Sequence, residues 1–343
     1  MNRVLGALVA LLAGVCILSL GMGAVAIPPD RIASILAARV GLDLGVGFEP
    51  HESITLLLVR APRVVLGVLV GGALGVAGAA LQGLFRNPLA DPALIGVSSG
   101  AALAALAITV FGSALALPTR FALPIAAFLG GLAAVVLVYR IATVGGETST
   151  ATMLLAGIAV NAVAAAATGL FVFASNDQEL RDFIFWTMGG LGGVTWAAIG
   201  AGAPLLILGV VPAFFLARPL NALLLGTSEA LHLGVDVDRV KRRVVGLSAL
   251  TVGAGVALAG IIGFVGLVTP HLVRLLAGPD HRIVLPGAAL LGAALLVGAD
   301  LLARLVVSPA ELPVGVVTAL VGGPFFLWLV VRDRRRLPVG GGP

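Results

Sequence analysis

Long uncharged apolar runs, separated by short polar breaks, set the pattern of this chain. They cover 4–27, 64–85, 93–119, 121–139, 148–176, 183–217, 244–273, 283–299 and 312–331. The first holds 24 residues without a charge. Crossing the hydrocarbon takes ~20 and a signal-peptide core roughly 7–15, so this run reads as a retained first helix. Two runs are too long for one crossing. The run 183–217 includes Gly189-Gly190-Leu191-Gly192-Gly193 near its start, which predicts a short outer helix and a turn ahead of a full span. The run 244–273 predicts two helices broken near Gly260 and Gly263, because glycine is costly inside helices. Together the runs predict an all-α polytopic membrane protein with about ten transmembrane helices, in a single domain over 1–343.

Composition supports that solvent. The chain is 59% hydrophobic and 11% charged, whereas soluble domains carry roughly 25% charged residues. If the amino terminus is cytoplasmic, the inner segments collect Arg3, Arg86, Arg140, Arg218, Arg239, Lys241, Arg242, Arg243, Arg274, Arg282, Arg332, Arg334, Arg335 and Arg336, 14 of the 21 basic residues. The excess of Lys and Arg in short loops places both termini inside. The basic balance therefore reports topology. No basic patch interleaves with aromatics in a soluble module, so a nucleic-acid partner is not expected. Cys16 is the only cysteine, which rules out an internal disulfide.

Several motifs that suggest chemistry do not fit their setting. Gly96-Val-Ser-Ser-Gly100 has the spacing of a nucleophile elbow but opens a membrane helix rather than a strand-to-helix turn. His51-Glu52 lacks the second histidine of a zinc protease. His232, His271 and His281 read as helix-end caps or partner contacts rather than metal or haem ligands. The one lysine, Lys241, is not preceded by the glycines of a phosphate loop, so this chain is not itself an ATPase or an enzyme. An ion-coupled secondary transporter is the alternative class. It would place acids or histidines at mid-bilayer, and the spans lack them.

The most informative polar break is Asn87-Pro-Leu-Ala-Asp-Pro92. Its prolines end one span and begin the next, and Asn87 and Asp91 can bond nearby amides. Other landmarks follow the order Arg60-Ala-Pro-Arg63, that turn, Leu154-Leu-Ala-Gly-Ile-Ala-Val-Asn161, Phe185-Trp-Thr-Met-Gly-Gly190, Gly263-Phe-Val-Gly-Leu-Val-Thr-Pro-His271, Ala299-Asp-Leu-Leu-Ala-Arg304 and Glu311-Leu-Pro-Val-Gly315. In this order they closely resemble the permeases of type II ATP-binding-cassette importers for iron chelates, haem and vitamin B12, the FecCD type. The likeness runs from about Arg60 to Arg332. Ala61 departs from the more usual leucine, with the flanking arginines and Pro62 kept.

The resemblance implies a type II importer permease fold in the bacterial inner membrane. Two copies form the path, and alternating access operates at their interface. Two cytoplasmic ATP-binding-cassette subunits hold ATP and Mg, and this subunit binds no cofactor of its own. A periplasmic substrate-binding protein delivers cargo. Lipid surrounds the rest.

The polar insertion at about 218–243 carries Ser228, Glu229, Ala230 and Gly234, which match the family's ATPase-coupling element. A short helix bearing Leu223, Leu224, Leu225 and Leu231 would supply its apolar face. The alternative is an amphipathic loop lying in the headgroups. Arg60, Arg63 and Arg304 match the arginines that receive acidic residues of the binding protein, the alternative being membrane anchoring. Asn87, Leu89, Ser149 and Thr150 match a translocation gate, or else cap helices. Gly71-x-x-x-Gly75 and Gly96-x-x-x-Gly100 serve close packing, within one subunit or between two. The segment from Ala174 to Trp186, acidic and then Leu-Arg-Asp and Phe-Trp, resembles the haem branch most, with ferric siderophore or cobalamin as alternative cargoes.

Overall fold

The structure, a computed structural model, describes residues 3–112 and 119–334. The basic tail residues Arg335 and Arg336 lie outside the described residues. α1 (Arg3–Gly21) is the first apolar helix, and α2 (Pro29–Arg39) follows it. α3 (Pro50–Ile54) passes through one π-helical turn (Thr55–Arg60) into α4 (Ala61–Phe85). α5 (Val97–Phe111) and α6 (Thr119–Ala142) lead to a hairpin of β1 (Thr143–Val144) and β2 (Glu147–Thr148). Then come α7 (Thr150–Ala174), α8 (Asp177–Thr187), α9 (Trp196–Phe214), α10 (Ala217–Leu225), α11 (Thr227–His232), α12 (Val237–Ala259), α13 (Val265–Ala277), α14 (His281–Leu305) and α15 (Val314–Arg334).

Among the described residues, seven helices are long and apolar enough to cross a membrane. Three shorter apolar helices, Val97–Phe111, Val265–Ala277 and Val314–Trp328, bring the set to ten. Both overlong runs break where their glycines stand. α8 and α9 are separated by 188–195, and α12 and α13 by 260–264. The segment 28–63, which has no long apolar run, is largely helical too. In α2, Ile32 and Ile35 join Ile27 and Leu56 in a small separate core. Arg31 pairs with Glu52 at 2.6 Å across it.

α4 is the centre of the bundle. It packs on α9, α12, α13 and α14, and small residues set how closely. A Cβ on Gly75 would strike the carbonyl of Ala288, and one on Gly78 the carbonyl of Gly266. A second group, α5, α6 and α7, closes in the same way where Gly100 meets Gly130. Gly71, Gly75 and Gly100 are therefore used for packing inside one subunit, whereas Gly96 opens α5 at φ 87°. α12 touches α4 and α6 and joins the two groups.

Candidate coupling, gating and docking sites

At one end of the bundle the arginines converge, because α4 and α14 run side by side. Arg60 and Arg63 lie one turn apart at the start of α4, and Asp300 and Arg304 lie one turn apart near the end of α14. Asp300 sits between two guanidiniums. Arg63 Nη2 donates to its Oδ1 at 2.8 Å, and Arg304 Nε to its Oδ2 at 3.1 Å. Arg63 Nη1 also forks onto Glu311 at 2.8 and 3.0 Å. Arg304 Nη2 donates to Ser19 Oγ at 2.7 Å. Arg60 caps the end of α1 through the carbonyls of Leu20 (2.7 Å) and Gly21 (2.9 Å), and also bonds that of Val25.

The three arginines matched to binding-protein contacts are engaged within the chain. All three are buried, at 3–8% exposure, and their donors are engaged inside the chain. A guanidinium left without partners near hydrocarbon is expensive, and the fold satisfies these with carboxylates and helix-end carbonyls. The group that reaches solvent here is Glu311, whose side chain is 46% exposed.

Beside this network three helix breaks meet backbone to backbone. Gly190 N donates to Ala259 O at 2.8 Å, Val314 N to Gly189 O at 3.0 Å and Gly315 N to Met188 O at 3.1 Å. The backbone groups freed by the breaks thus satisfy one another. A cleft of about 880 Å³ opens at this junction, with Glu179, Asp182, Trp186 and Glu311 on its wall.

The opposite end carries the turn 86–92, the hairpin, α10–α11 and the turn 278–280. α4 ends on Arg86 in the left-handed conformation (φ 49°). Asn87 Oδ1 then accepts from Leu89 N at 2.9 Å, and Asp91 Oδ1 from Ala93 N at 2.8 Å. Burial pushes the Asp91 carboxyl up from its ordinary value, against the pull of that amide. Asn161 holds the turn from α7, donating to Ala93 O at 3.1 Å and accepting from Ser99 Oγ at 2.5 Å. Leu89 is exposed. Ser149 is the N-cap of α7, with its hydroxyl 3.2 Å from Thr152 N, and Thr150 follows half-buried. Of the four gate candidates, Ser149 is both a cap and exposed, Asn87 caps the turn while half-buried, Leu89 is exposed and Thr150 is half-buried.

The polar insertion forms two short helices rather than one. Ala230 and Leu223 point inward, while Leu224, Leu225, Leu231 and Leu233 are exposed around Ser228 and Glu229. Gly226 (φ 133°) makes the corner between α10 and α11, where a Cβ would collide with the Glu229 carboxylate. Gly234 (φ 78°) ends α11. Asn221 ties α10 to the start of α14. Its amide donates to Asp280 Oδ1 at 2.6 Å, and its oxygen accepts from His281 N at 2.8 Å. The Asp280 carboxyl is held below its ordinary value by the Arg282 amide and then by Asn221. Sequence spacing had no means of pairing Asn221 with residues 59 and 60 positions away.

The family model described as the FecCD transport family matches residues 11–332. The hemin transport system permease protein HmuU of Yersinia pestis is 49% identical over 283 residues, 82% of this chain and 84% of that protein. The cobalamin import system permease protein BtuC of Halobacterium salinarum is 48% identical over 278 residues, 80% of this chain and 73% of that protein. A solved structure described as a metal-chelate type ABC transporter in an inward-facing conformation matches with a TM-score of 0.84 at 30% identity. That match covers 97% of this chain and 100% of the other.

Proposed function

This chain belongs to the FecCD transport family, and from that premise we propose that it is the haem-moving permease of an importer built on two copies of the chain. Membership itself makes the chain a permease of the ABC importers for haem, vitamin B12 and chelates. The observation that carries the coupling to separate ATPase subunits is the apolar ridge of α10–α11, raised by glycine corners and exposed beside Glu229. Two separate ATP-binding-cassette subunits, holding ATP and Mg, press on that ridge, one for each copy.

The ridge faces the cytoplasm of a cell whose inner membrane the chain spans, with both termini on that side. Alternating access then opens the path between the copies, with Asn87, Leu89, Ser149 and Thr150 at its inner gate. A periplasmic binding protein docks at the arginine end, on loops that Arg60, Arg63 and Arg304 hold from beneath. Haem is the assigned cargo, by likeness to the hemin permease and by the acidic segment ahead of Trp186. Cobalamin is the second reading, favoured by the similarly close cobalamin relative.

The coupling element is tested by Glu229→Ala combined with Gly234→Leu. Leucine at φ 78° is strained by about 1–2 kcal/mol, and the alanine removes the carboxylate beside Gly226. The variant should insert normally while uptake falls about tenfold, because each ~1.4 kcal/mol lost from docking is a factor of ten. Unchanged ATPase co-purification and uptake would contradict the placement.

A further inference from the structure

The only lysine of the chain points inward. Lys241 Nζ donates to the carbonyl of Thr148 at 2.6 Å and to Asp238 Oδ1 at 3.0 Å. The same Asp238 oxygen accepts from Thr148 N at 3.1 Å. Two side chains from the first turns of α12 therefore hold both main-chain groups of one residue. Thr148 is 2% exposed, and the Lys241 side chain 14%. The Thr148 hydroxyl is held as well, 3.0 Å from Thr143 Oγ1 and 3.2 Å from the Tyr139 hydroxyl.

The position of this clasp gives it a task. Thr148 immediately precedes Ser149 and Thr150, and α12 begins directly after the α10–α11 insertion. A cavity of about 540 Å³ is lined by Ser149 and Thr152, by Thr227 and Leu231, and by Asp238 and Lys241 themselves. Among the described residues, Asp238 and Lys241 make the hydrogen bonds that join 143–152 to 217–243. An ion pair that holds a peptide by its donor and its acceptor resists both sliding and rotation, and charge-assisted bonds at low exposure are the strong ones.

We propose that the Asp238–Lys241 pair is the mechanical link through which the α10–α11 insertion moves the start of α7. This inference rests on the reading of that insertion as the ATPase-coupling element. Without the clasp, motion imposed on α11 would be lost in the cavity, and α7 would not follow.

The test uses the full complex of permease and its ATPase subunits in lipid vesicles, with Cys16→Ser and a reporter cysteine at the exposed Ala151 (Ala151→Cys). Labelling of the reporter by a water-soluble maleimide is expected to depend on ATP. In Lys241→Met that dependence and uptake should each fall at least about tenfold, as loss of a charge-assisted hydrogen bond implies, while bound ATPase and its basal hydrolysis persist. Lys241→Arg keeps a donor and should retain most of both.

The exchange Asp238→Lys with Lys241→Asp separates the clasp from a simple ion pair along the helix. It keeps the pair but turns a carboxylate toward the Thr148 carbonyl, so it should not restore coupling. Should Lys241→Met fail to insert, Asp238→Ala, which removes the acceptor, carries the same comparison. Full uptake in Lys241→Met with ATPase still bound, restoration by the exchanged pair, or a reporter indifferent to ATP in the parent would each overturn the link alone. A parent chain that retains no ATPase would overturn the coupling reading and the link together.

Discussion

Replacing Asp300 by alanine is expected to destabilise the permease by about 3–5 kcal/mol, enough to remove most folded chain from the membrane. Asp300 is 1% exposed and lies between Arg63 and Arg304, each bonded to a different carboxylate oxygen. Its removal leaves Arg304 with Ser19 and the Met22 carbonyl but no counter-charge. Arg63 would keep only the half-exposed Glu311. An uncompensated charge at this depth costs far more than the lost contact. Glu311→Gln should cost no more than ~1 kcal/mol, because solvent screens that partner. Thermal unfolding of the detergent-purified chain checks both, and an Asp300→Ala protein as stable as its parent would refute the network. Reversal of Arg63 to glutamate is for the same reason a folding lesion, and a transport defect in that variant would say nothing about docking.

Gly78→Leu should do comparable damage by another route. At this point α4 and α13 pass so closely that a Cβ would overlap the Gly266 carbonyl, and Gly266 itself lies close under Leu74 O. The obstacle is backbone on both sides, so no rotamer change relieves it. Overpacking costs ~1–3 kcal/mol where side chains can yield, and more where they cannot. Gly246, with open space around its Cβ position, should accept alanine without loss. The comparison is read as the fraction of monodisperse permease after extraction. Equal yields for the two variants would mean that the close approach of α4 and α13 does not hold in the membrane.

The spans were legible because bilayer thickness dictates run length, and the breaks because glycine at 189–193 and at 260 and 263 interrupts otherwise uniform apolar sequence. The helices α2 and α3 were not legible, since short amphipathic elements at a membrane end leave no long apolar run. Nor was the hairpin at 143–148, which is held by the Gly145-Gly146 turn and by Asp238 and Lys241 rather than by strand propensity.

The landmark motifs were found one by one, and the structure joins them. Arg63 reaches Asp300 and Glu311, 237 and 248 residues away. Asn161 holds the proline turn, and Met188 and Gly189 take their hydrogen bonds from the residues after Pro313. The arginines were the instructive case. Sequence located them at a helix mouth, but whether a guanidinium faces outward or is consumed within depends on a carboxylate that chain order keeps far away. Lys241 is similar. No phosphate loop precedes it, and its partner, Thr148, lies 93 residues off.

The most direct test of the account is uptake by proteoliposomes in which this chain is reconstituted with its two ATP-binding subunits and supplied with a haem-loaded binding protein. Haem accumulation is expected to require ATP, to persist in the presence of a protonophore and to fall about tenfold in the Glu229→Ala, Gly234→Leu variant. Accumulation without the ATPase subunits, or its collapse on adding the protonophore while ATP is present, would contradict it.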